Sequence, residues 1–431
     1  MAIRALAPTG AVQGDVLREA LGLYRHLHAN PELSGAEAQT AEAFAARLRG
    51  SGFDVTTGVG GHGVVGRLTN GAGPTVLLRA ELDALPVAEE TGLPYASGAI
   101  ARTDRAEVPV MHACGHDLHL AALAGAAAVL SADRKRWQGT LLAVGQPAEE
   151  TLLGAAAMMD DGLYHRWGRP DVALAQHSAP LPAGMVAHGE LMTAGSVTLE
   201  ITIDGRGGHP AMPHLCVDPV VTAASIVTQL QTIRSQRIAP AEPAVLTVGH
   251  LSAGSRANVI ADSATIGVTM RAYSAATLSQ MRDAVERIVR AACTAAGTPG
   301  DPRIAVVAQA AINRPDPGVT AQVRAAHTDA FGAVRVGGWP PSLAAEDFPV
   351  FAADGVATGY WMLGSISPAQ WRAVPGDVAA KLAHLPGNHS PRFAPHAALA
   401  LPTGIQALVS AALSWIGKGP DKQRTPQTTR E

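Results

Sequence analysis

Cysteines are few, net charge is close to zero and long apolar runs are interrupted. The three cysteines, Cys114, Cys216 and Cys293, are scattered and odd in number. A disulfide framework is thereby excluded, a reducing cytoplasm is the expected setting, and a thiol is left available for chemistry. Lys plus Arg number 33 against 36 Asp plus Glu, a formal charge of −3, so no whole-chain field gathers nucleic acid or an anionic bilayer. A small, nearly neutral ligand is the better expectation. The opening MAIRALAPTGAVQGD sets no apolar run beside a basic end, and Gly and Ala are expected to break the longer apolar stretches before membrane length. No internal repeat is found. What remains is an ordinary soluble composition, 47% hydrophobic and 16% charged over 431 residues, enough for two or three domains each with its own core.

Leu17, Leu21, Tyr24 and Leu27 recur at helical spacing and predict a helix from Asp15 to Asn30, stopped by Pro31, with a second from Ala36 to Gly50. FDVTT, GVVGRL and TVLLRAEL are β-rich runs between Gly- and Asn-containing turns. An Ala- and Leu-rich helix over Leu118–Ser131, the buried strand TLLAVG and a helix over Gly154–Asp161 follow. This alternation predicts an α/β layer with a mixed, largely parallel sheet. After Ala194 the period changes, and Ser196–Gly205 alternates strictly, Val197, Leu199, Ile201 and Ile203 on one face. A helix from Pro219 to about Ser235, strands over Ala244–Leu251 and Ala264–Tyr273, a helix over Ala276–Ala296 and a strand over Arg303–Ala308 complete the β-α-β-β-α-β order of a ferredoxin-like unit. The α/β pattern then returns over Ala321–Phe331, Gly359–Leu363 and Ala397–Trp415. The expected organisation is a discontinuous main domain of residues 1–193 and 312–418, an inserted domain of 194–311 and a disordered tail of 419–431.

His112-Ala113-Cys114-Gly115-His116-Asp117 lies between the short strand Val108–Met111 and the Ala-rich helix. A thiolate and an imidazole two residues apart on a strand-to-helix turn face one cavity and suit Zn, Co, Ni or Mn. Read alone, a buried inert thiol beside surface histidines explains them as well. Glu149 and Glu150 end TLLAVGQPAEE, the place where α/β sheets present functional groups. One carboxylate there can bind metal while the other faces water, as metal-assisted hydrolysis requires; a solvated acidic pair is the plainer reading. His177 follows the apolar run DVALAQ, and His389 sits in LPGNHSPRF before the last helix. With Cys114, His116 and Glu150 they make five ligands, enough for two metals with one shared.

RAELDALPV (Arg79–Val87), MHACGHD (Met111–Asp117), GQPAEE (Gly145–Glu150), GRGGHPAMPH (Gly205–His214), SRANVIAD (Ser255–Asp262), AEDF (Ala345–Phe348) and NHSPRF (Asn388–Phe393) occur in this order. The sequence resembles the two-metal aminoacylase and carboxypeptidase superfamily, in particular its amidohydrolase branch of hippurate hydrolases, indole-acetyl-amino-acid hydrolases and N-acyl-amino-acid deacylases. The resemblance implies that Cys114 bridges two divalent metal ions (Zn, Mn, Co or Ni) and that His116, Glu150, His177 and His389 complete their coordination, with Asp83 supporting the site from behind. It implies that Glu149 is the general base, taking a proton from a metal-bridging water and returning it to the leaving amine. The inserted domain becomes a lid and a dimerisation surface, giving a homodimer or dimer-based oligomer. His209 of its GGH motif donates to the tetrahedral oxyanion, usually in a neighbouring subunit's site. Asn258 and Arg271 hold the substrate carboxylate, although Arg271 reads equally as a surface residue on a strand. His214 is a weaker candidate than His209, and Cys216 and Cys293 read as small buried hydrophobes. The expected protein is an intracellular, soluble metallo-amidohydrolase acting on an N-acyl amino acid or related small acyl amide, with neither nucleic acid nor membrane as partner.

Four places depart from the branch's usual motifs: Glu81 stands where Asp is usual, Gly145 where an aromatic is usual, AQHSAP (Ala175–Pro180) where the run GLHV is usual, and Pro210 within the GGH run. All four are expected to line or flank the cleft and to bear on substrate choice. Two rival readings are weighed against the hydrolase. Gly58-Val59-Gly60-Gly61-His62-Gly63 satisfies G-x-G-x-x-G with Asp83 beyond it, as in a NAD-dependent oxidoreductase. Such a loop must open a helix, whereas VVGRL reads as a strand, so a hairpin is expected. A non-catalytic ligand-binding protein on the same scaffold is the other rival; the presence of base, ligands and insert histidine speaks against it.

Overall fold

The computed structural model describes residues 14–103 and 106–418; the expected tail of 419–431 lies outside the described residues. Helices α1 (Gly14–Ala29) and α2 (Ala38–Gly50) lead into strands β1 (Asp54–Val59), β2 (Gly63–Asn70) and β3 (Thr75–Glu81). A small hairpin, β4 (Ile100–Arg102) and β5 (Glu107–Pro109), precedes α3 (His116–Ala132). Then come β6 (Gly139–Gln146), α4 (Gly154–Asp160), α5 (Leu163–Trp167), β7 (Val172–Pro182) and β8 (Val186–His188). The next stretch holds β9 (Gly195–Asp204), α6 (Pro219–Gln236), β10 (Ala244–Ala253), β11 (Ser263–Ala272), α7 (Ala275–Ala296) and β12 (Arg303–Ala310). The last holds α8 (Pro317–Phe331), β13 (Val336–Gly338), β14 (Ala357–Ile366), α9 (Pro368–Ala373), α10 (Val378–His384) and α11 (Ala397–Ile416).

One mixed sheet runs β1-β2-β6-β3-β7-β14-β8-β13. Its centre is parallel, β6 with β3, β3 with β7 and β7 with β14, while the β1·β2, β2·β6 and β14·β8 pairings are antiparallel. The central strands are covered on both faces and accordingly read as continuous apolar runs: in β14 every residue from Thr358 to Ile366 is buried. Because β3, β6 and β7 run the same way, their carboxyl ends share one edge, where α/β folds place their chemistry. Glu81 and Gln146 are register partners at that edge. The glycines at 58–63 close an antiparallel hairpin, with Thr57 opposite Val64. No helix follows them, so the dinucleotide-loop reading falls.

On one face α3 is sandwiched among α1, α2 and α11. A Cβ on Gly125 of α3 would stand 2.6 Å from Ile405 Cδ1, so this glycine is what lets α3 and α11 approach. Helix α11 is long and apolar enough to cross a membrane, contrary to the expectation that Gly and Ala break every such stretch. Most of it is buried, with Leu401, Ile405, Leu408 and Ala412 facing α3 and the sheet in the main core. Its apolarity is accounted for by that burial.

Residues 195–310 build a second, wholly antiparallel sheet in the order β10-β11-β9-β12. Leu199, Ile201 and Ile203 of β9 join Ile266, Val268 and Met270 of β11 beneath α6 and α7 as a separate core. The strict alternation read in β9 comes from this single covered face. Asp218 caps α6 by accepting from Val220 N–H ahead of Pro219, and Ser274 caps α7 through Thr277 N–H. Cys293 is buried in this core. Cys216 is only half-buried, its thiol turned towards Met212 O; it lies on the loop before α6, outside the core of the insert, and the expectation of a buried hydrophobe fails there.

Candidate metal centre

Backbone strain marks the place where the functional side chains gather. Gly115 takes φ +83° just before α3, and a Cβ there would stand 2.6 Å from Ser178 Oγ, so glycine alone turns the chain from Cys114 into His116. Ala148 (φ 49°) and Leu152 (φ 60°) bracket Glu149 and Glu150, and His389 itself has φ 68°. A non-glycine residue in this left-handed region costs of order 1 kcal/mol or more. The tight turn after β6 is held by Glu37, which accepts hydrogen bonds from Gly35 N–H and Ala148 N–H at 2.8 Å.

Cys114, His116, Glu149, Glu150, His177 and His389 converge although up to 275 positions separate them in the chain. Cys114 Sγ is 3.5 Å from His177 Nε2. His116 Nε2 is 3.8 Å from Glu150 Oε1 and 3.9 Å from Glu149 Oε2, and His389 Nε2 is 3.4 Å from the same Glu150 oxygen. Cys114, Glu150 and His389 form one group of donor atoms within 4.8 Å of one another, and His116, Glu149 and Glu150 form a second. Glu150 is common to both. Asp83 holds the site from behind: it accepts from Ser34 Oγ at 2.7 Å and from Glu150 N–H at 2.9 Å, and its backbone carbonyl accepts from His116 Nδ1 at 2.8 Å. With its Nδ1–H thus engaged, His116 turns its Nε2 inward; His177 is fixed likewise by its Nδ1–H donating to Ser178 O at 2.9 Å. His116 Nε2 and Glu150 Oε1 are buried with no hydrogen-bond partner, which a cation between them would supply.

The electrostatics agree. Burial would raise the Cys114 thiol, but the imidazoles of His177, His116 and His389 outweigh it and hold the thiolate form. Burial would lower His177, yet the Cys114 charge takes it up to about 9. The neighbouring Cys114 sulfur and Glu150 carboxylate raise His389 to about 10. Burial pushes Glu149 well up, helped by Glu346, Glu150 and Asp347, and burial with the Cys114 charge raises Glu150. Carboxylates pushed up and imidazoles holding extra protons, within the same few ångströms, mark a space short of positive charge.

Behind Glu149 lies a second polar layer in which the guanidinium of Arg79, wholly buried, is saturated. Its Nε donates to Gln146 Oε1 at 2.8 Å, and its Nη2 to Glu346 Oε1 at 2.7 Å and Asp347 Oδ1 at 3.0 Å. Its Nη1 donates to Glu81. Glu81 also accepts from His119 Nδ1 at 2.8 Å, while His119 Nε2 accepts the Ser178 N–H at 2.7 Å. That nitrogen therefore carries no proton, and His119 is neutral. Carboxylate oxygens of Glu149, Glu346 and Asp347 approach within 4.8 Å; burial, countered by Arg79 and reinforced by Glu346, takes Asp347 up to about 7.

The insert residues do not join this cluster. His209 is exposed on the loop after β9, its Nδ1 accepting from Ala211 N–H at 3.2 Å. Asn258 is exposed in the turn after β10. Arg271 is half-buried at the foot of β11 and donates to Leu343 O at 2.9 Å. Gly145 does not line a cleft: a Cβ there would stand 2.9 Å from Phe44 Cδ1 beneath α2, so its departure from the usual aromatic is a matter of core packing. Pro210 is exposed beside His209. Sequence reasoning missed His119, Glu37, Asn388 and the Arg79–Glu346–Asp347 layer. Asn388 donates to Cys114 O at 3.2 Å and Cys114 Sγ at 3.5 Å; its place in NHSPRF and the acids in AEDF were the available signals.

The model of the peptidase family M20/M25/M40 matches residues 77–375. N-acetyl-L-cysteine deacetylase of Bacillus subtilis (strain 168) is 36% identical over 269 residues, 62% of this chain and 62% of that protein. IAA-amino acid hydrolase ILR1-like 2 of Arabidopsis thaliana is 38% identical over 260 residues, 60% of this chain and 57% of that protein. The match thus spans about six-tenths of the length of these relatives. A solved structure of a protein from methicillin resistant Staphylococcus aureus, described as an aminohydrolase, superposes with a TM-score of 0.76 at 27% identity, covering 93% of this chain and 98% of that one. With its motifs in order, its donor groups at one sheet edge and more than half its length matched, the chain belongs to the peptidase family M20/M25/M40.

Proposed function

We propose that this chain is a metal-dependent amidohydrolase that cleaves the amide bond of an N-acyl amino acid or a related small acyl amide. The observation that carries the reading is the pair of donor groups joined through Glu150, with His116 Nε2 and Glu150 Oε1 buried and without a hydrogen bond. Thiolate, imidazole and carboxylate donors together fit Zn, Co, Ni or Mn. Cys114, His116, Glu150, His177 and His389 would hold two such ions, with Asp83 setting the His116 tautomer. Bound there, divalent ions polarise the scissile carbonyl and make a water acidic enough to attack near neutral pH. Glu149 accepts the proton from the attacking water and delivers it to the departing nitrogen. Its raised proton affinity suits a carboxyl that must both take and give a proton. Relatives named for N-acetyl-L-cysteine and IAA-amino acids support an acylated amino acid as the substrate class.

In the same reading residues 194–311 are a ferredoxin-like lid. Met212, Leu215 and Val221 are 53%, 57% and 65% exposed on it, an apolar surface that supports a homodimer made through the insert. His209, outside its own chain's cluster, then serves the oxyanion of a neighbouring subunit. An intracellular setting accords with the reduced cysteines.

The test is amine release from acetyl, benzoyl and indole-acetyl conjugates of several amino acids by protein loaded in turn with Zn, Mn, Co or Ni. Glu149→Gln is expected to keep its bound metal while kcat falls by about 10²- to 10⁴-fold. Near-full activity in that variant, or no amine release with any metal, overturns the reading.

A further inference from the structure

The main sheet and the insert are joined by two chain crossings, with Thr193 in bridge partnership with both Asn313 and Ser342. Ser342 belongs to a segment that is bonded on both sides. On the insert side, Arg271 Nη1 donates to Leu343 O at 2.9 Å and Tyr273 OH donates to Pro341 O at 2.9 Å. At the crossing itself, Ala194 N–H is shared between Ser342 O at 3.0 Å and Ala344 O at 2.9 Å. Only two residues further on, Glu346 and Asp347 are clamped by Arg79, and Tyr360 OH donates to Glu346 at 2.7 Å. Their carboxylate oxygens come within 4.8 Å of Glu149. Residues 341–347 therefore run, without helix, from the foot of the insert to the back of the proposed base.

Polar groups at the crossings are not all satisfied. Thr193 Oγ1 and Asn313 Nδ2 are buried without a hydrogen-bond partner, as is Trp339 Nε1 two residues before the segment. Buried donors are normally paired. Their clustering where two bodies join leaves partners to be gained when the insert shifts against the sheet, as hinges built from a few connecting residues allow.

We propose that residues 341–347 are a strap through which the insert positions Glu149, with Arg271 as the residue that grips it. The placement of the insert, transmitted at Leu343, sets Glu346 and Asp347 and through them the carboxylate of the base. Arg271 is then a positioning residue and does not hold the substrate carboxylate. The proposal rests on the amidohydrolase reading above.

Two substrates separate the roles: an N-acyl amino acid and the same molecule with its carboxylate converted to the primary amide. In metal-loaded Arg271→Ala, kcat falls by about ten- to a hundredfold on both, with KM changed less than about twofold; combined with Glu346→Gln, it falls no further than in Glu346→Gln alone. A rise in KM confined to the carboxylate-bearing substrate, or losses that multiply in the double variant, overturns the strap. Tyr273→Phe, which deletes one hydroxyl at the rim, should show the same kcat pattern more weakly. Amide exchange supplies a readout independent of turnover: in Arg271→Ala residues 341–347 and 148–152 should lose protection together. Loss confined to 341–347 overturns the proposal even if no substrate is ever cleaved, whereas coupled loss without any turnover indicts the amidohydrolase reading alone.

Discussion

Cys114 shows how much a single atom carries at this site. Its sulfur is approached by His177 and by the Asn388 amide, both at 3.5 Å, and it shares a donor group with Glu150 and His389. Cys114→Ala is expected to lower bound metal below the wild-type stoichiometry, read by elemental analysis of the dialysed protein; unchanged metal content removes it from the ligand set. Glu81 is the other telling residue. Its carboxylate takes both Arg79 and His119, a reach that an Asp, one methylene shorter, would not have. Glu81→Asp should lose one of the two bonds and cost about 1–3 kcal/mol in urea unfolding, since a buried partner is left unsatisfied. The residues of HACGHD, PAEE and NHSPRF were legible because each motif carries its chemistry within a few positions. The Arg79–Glu346 pair was not, because its partners stand 267 positions apart and no local pattern encodes such a contact. His209, Asn258 and Arg271 stand apart from the cluster of their own chain, and the motifs that name them carry no signal of how the insert sits on the sheet.

Among the elements, the turn into α3 is the most constrained. Gly115 combines φ +83° with a hydroxyl 2.6 Å from where a Cβ would be. Gly115→Ala should therefore destabilise by more than the roughly 1 kcal/mol of the backbone term alone and should also disturb metal binding, because Ser178 Oγ donates to Cys114 O at 2.8 Å. Thermal melting with metal titration checks both. Long periodic segments were read nearly to the residue: α7 was expected from Ala276 and begins at Ala275, and β9 was expected from Ser196 and begins at Gly195. Their one-sided burial writes the period into the sequence. The three-residue strands β8 and β13 were missed, since so few residues cannot display a period and their pairing is decided by their neighbours.

At the scale of the whole molecule, two buried histidine clusters should bound the pH range of stability. His188 Nε2 and His327 Nδ1 are 3.0 Å apart, with His327 Nε2 facing Ala407 O at 3.1 Å. That carbonyl only accepts, so His327 keeps its proton on Nε2, and the pair is neutral. Burial, with the repulsion that a protonated His327 and Arg324 would exert, takes His188 down to about 3, and burial takes His327 down to about 4. Unfolded histidines take up protons below about 6.5, which the folded pair refuses. Stability is therefore full above that pH and falls as pH drops towards 4, by at most about 1.4 kcal/mol per unit for each ring. His28 has the opposite sign. Burial would lower it, but Asp117 at 2.7 Å and Glu89 at 3.0 Å outweigh burial and raise it to about 9. Its contribution is full below about 6.5 and is lost as pH rises through 9. Urea midpoints at pH 5, 7 and 9 should peak at 7, and His188→Gln should flatten the acid limb; a midpoint unchanged between pH 7 and 5 contradicts the neutral pair.

The loop of residues 387–393 closes over the other end of the polypeptide's chemistry. His389 N–H donates to Ala113 O at 2.7 Å, and Asn388 grips the cysteine beside it. During synthesis on the ribosome, more than 270 residues must still emerge after Cys114 before these contacts can form. Until then the thiol waits without the His389 imidazole and the Asn388 amide. If these residues hold metal as proposed, loading would be a late event in the life of each molecule, and a polypeptide stalled short of this loop would bind ions loosely and leave its sulfur open to oxidation.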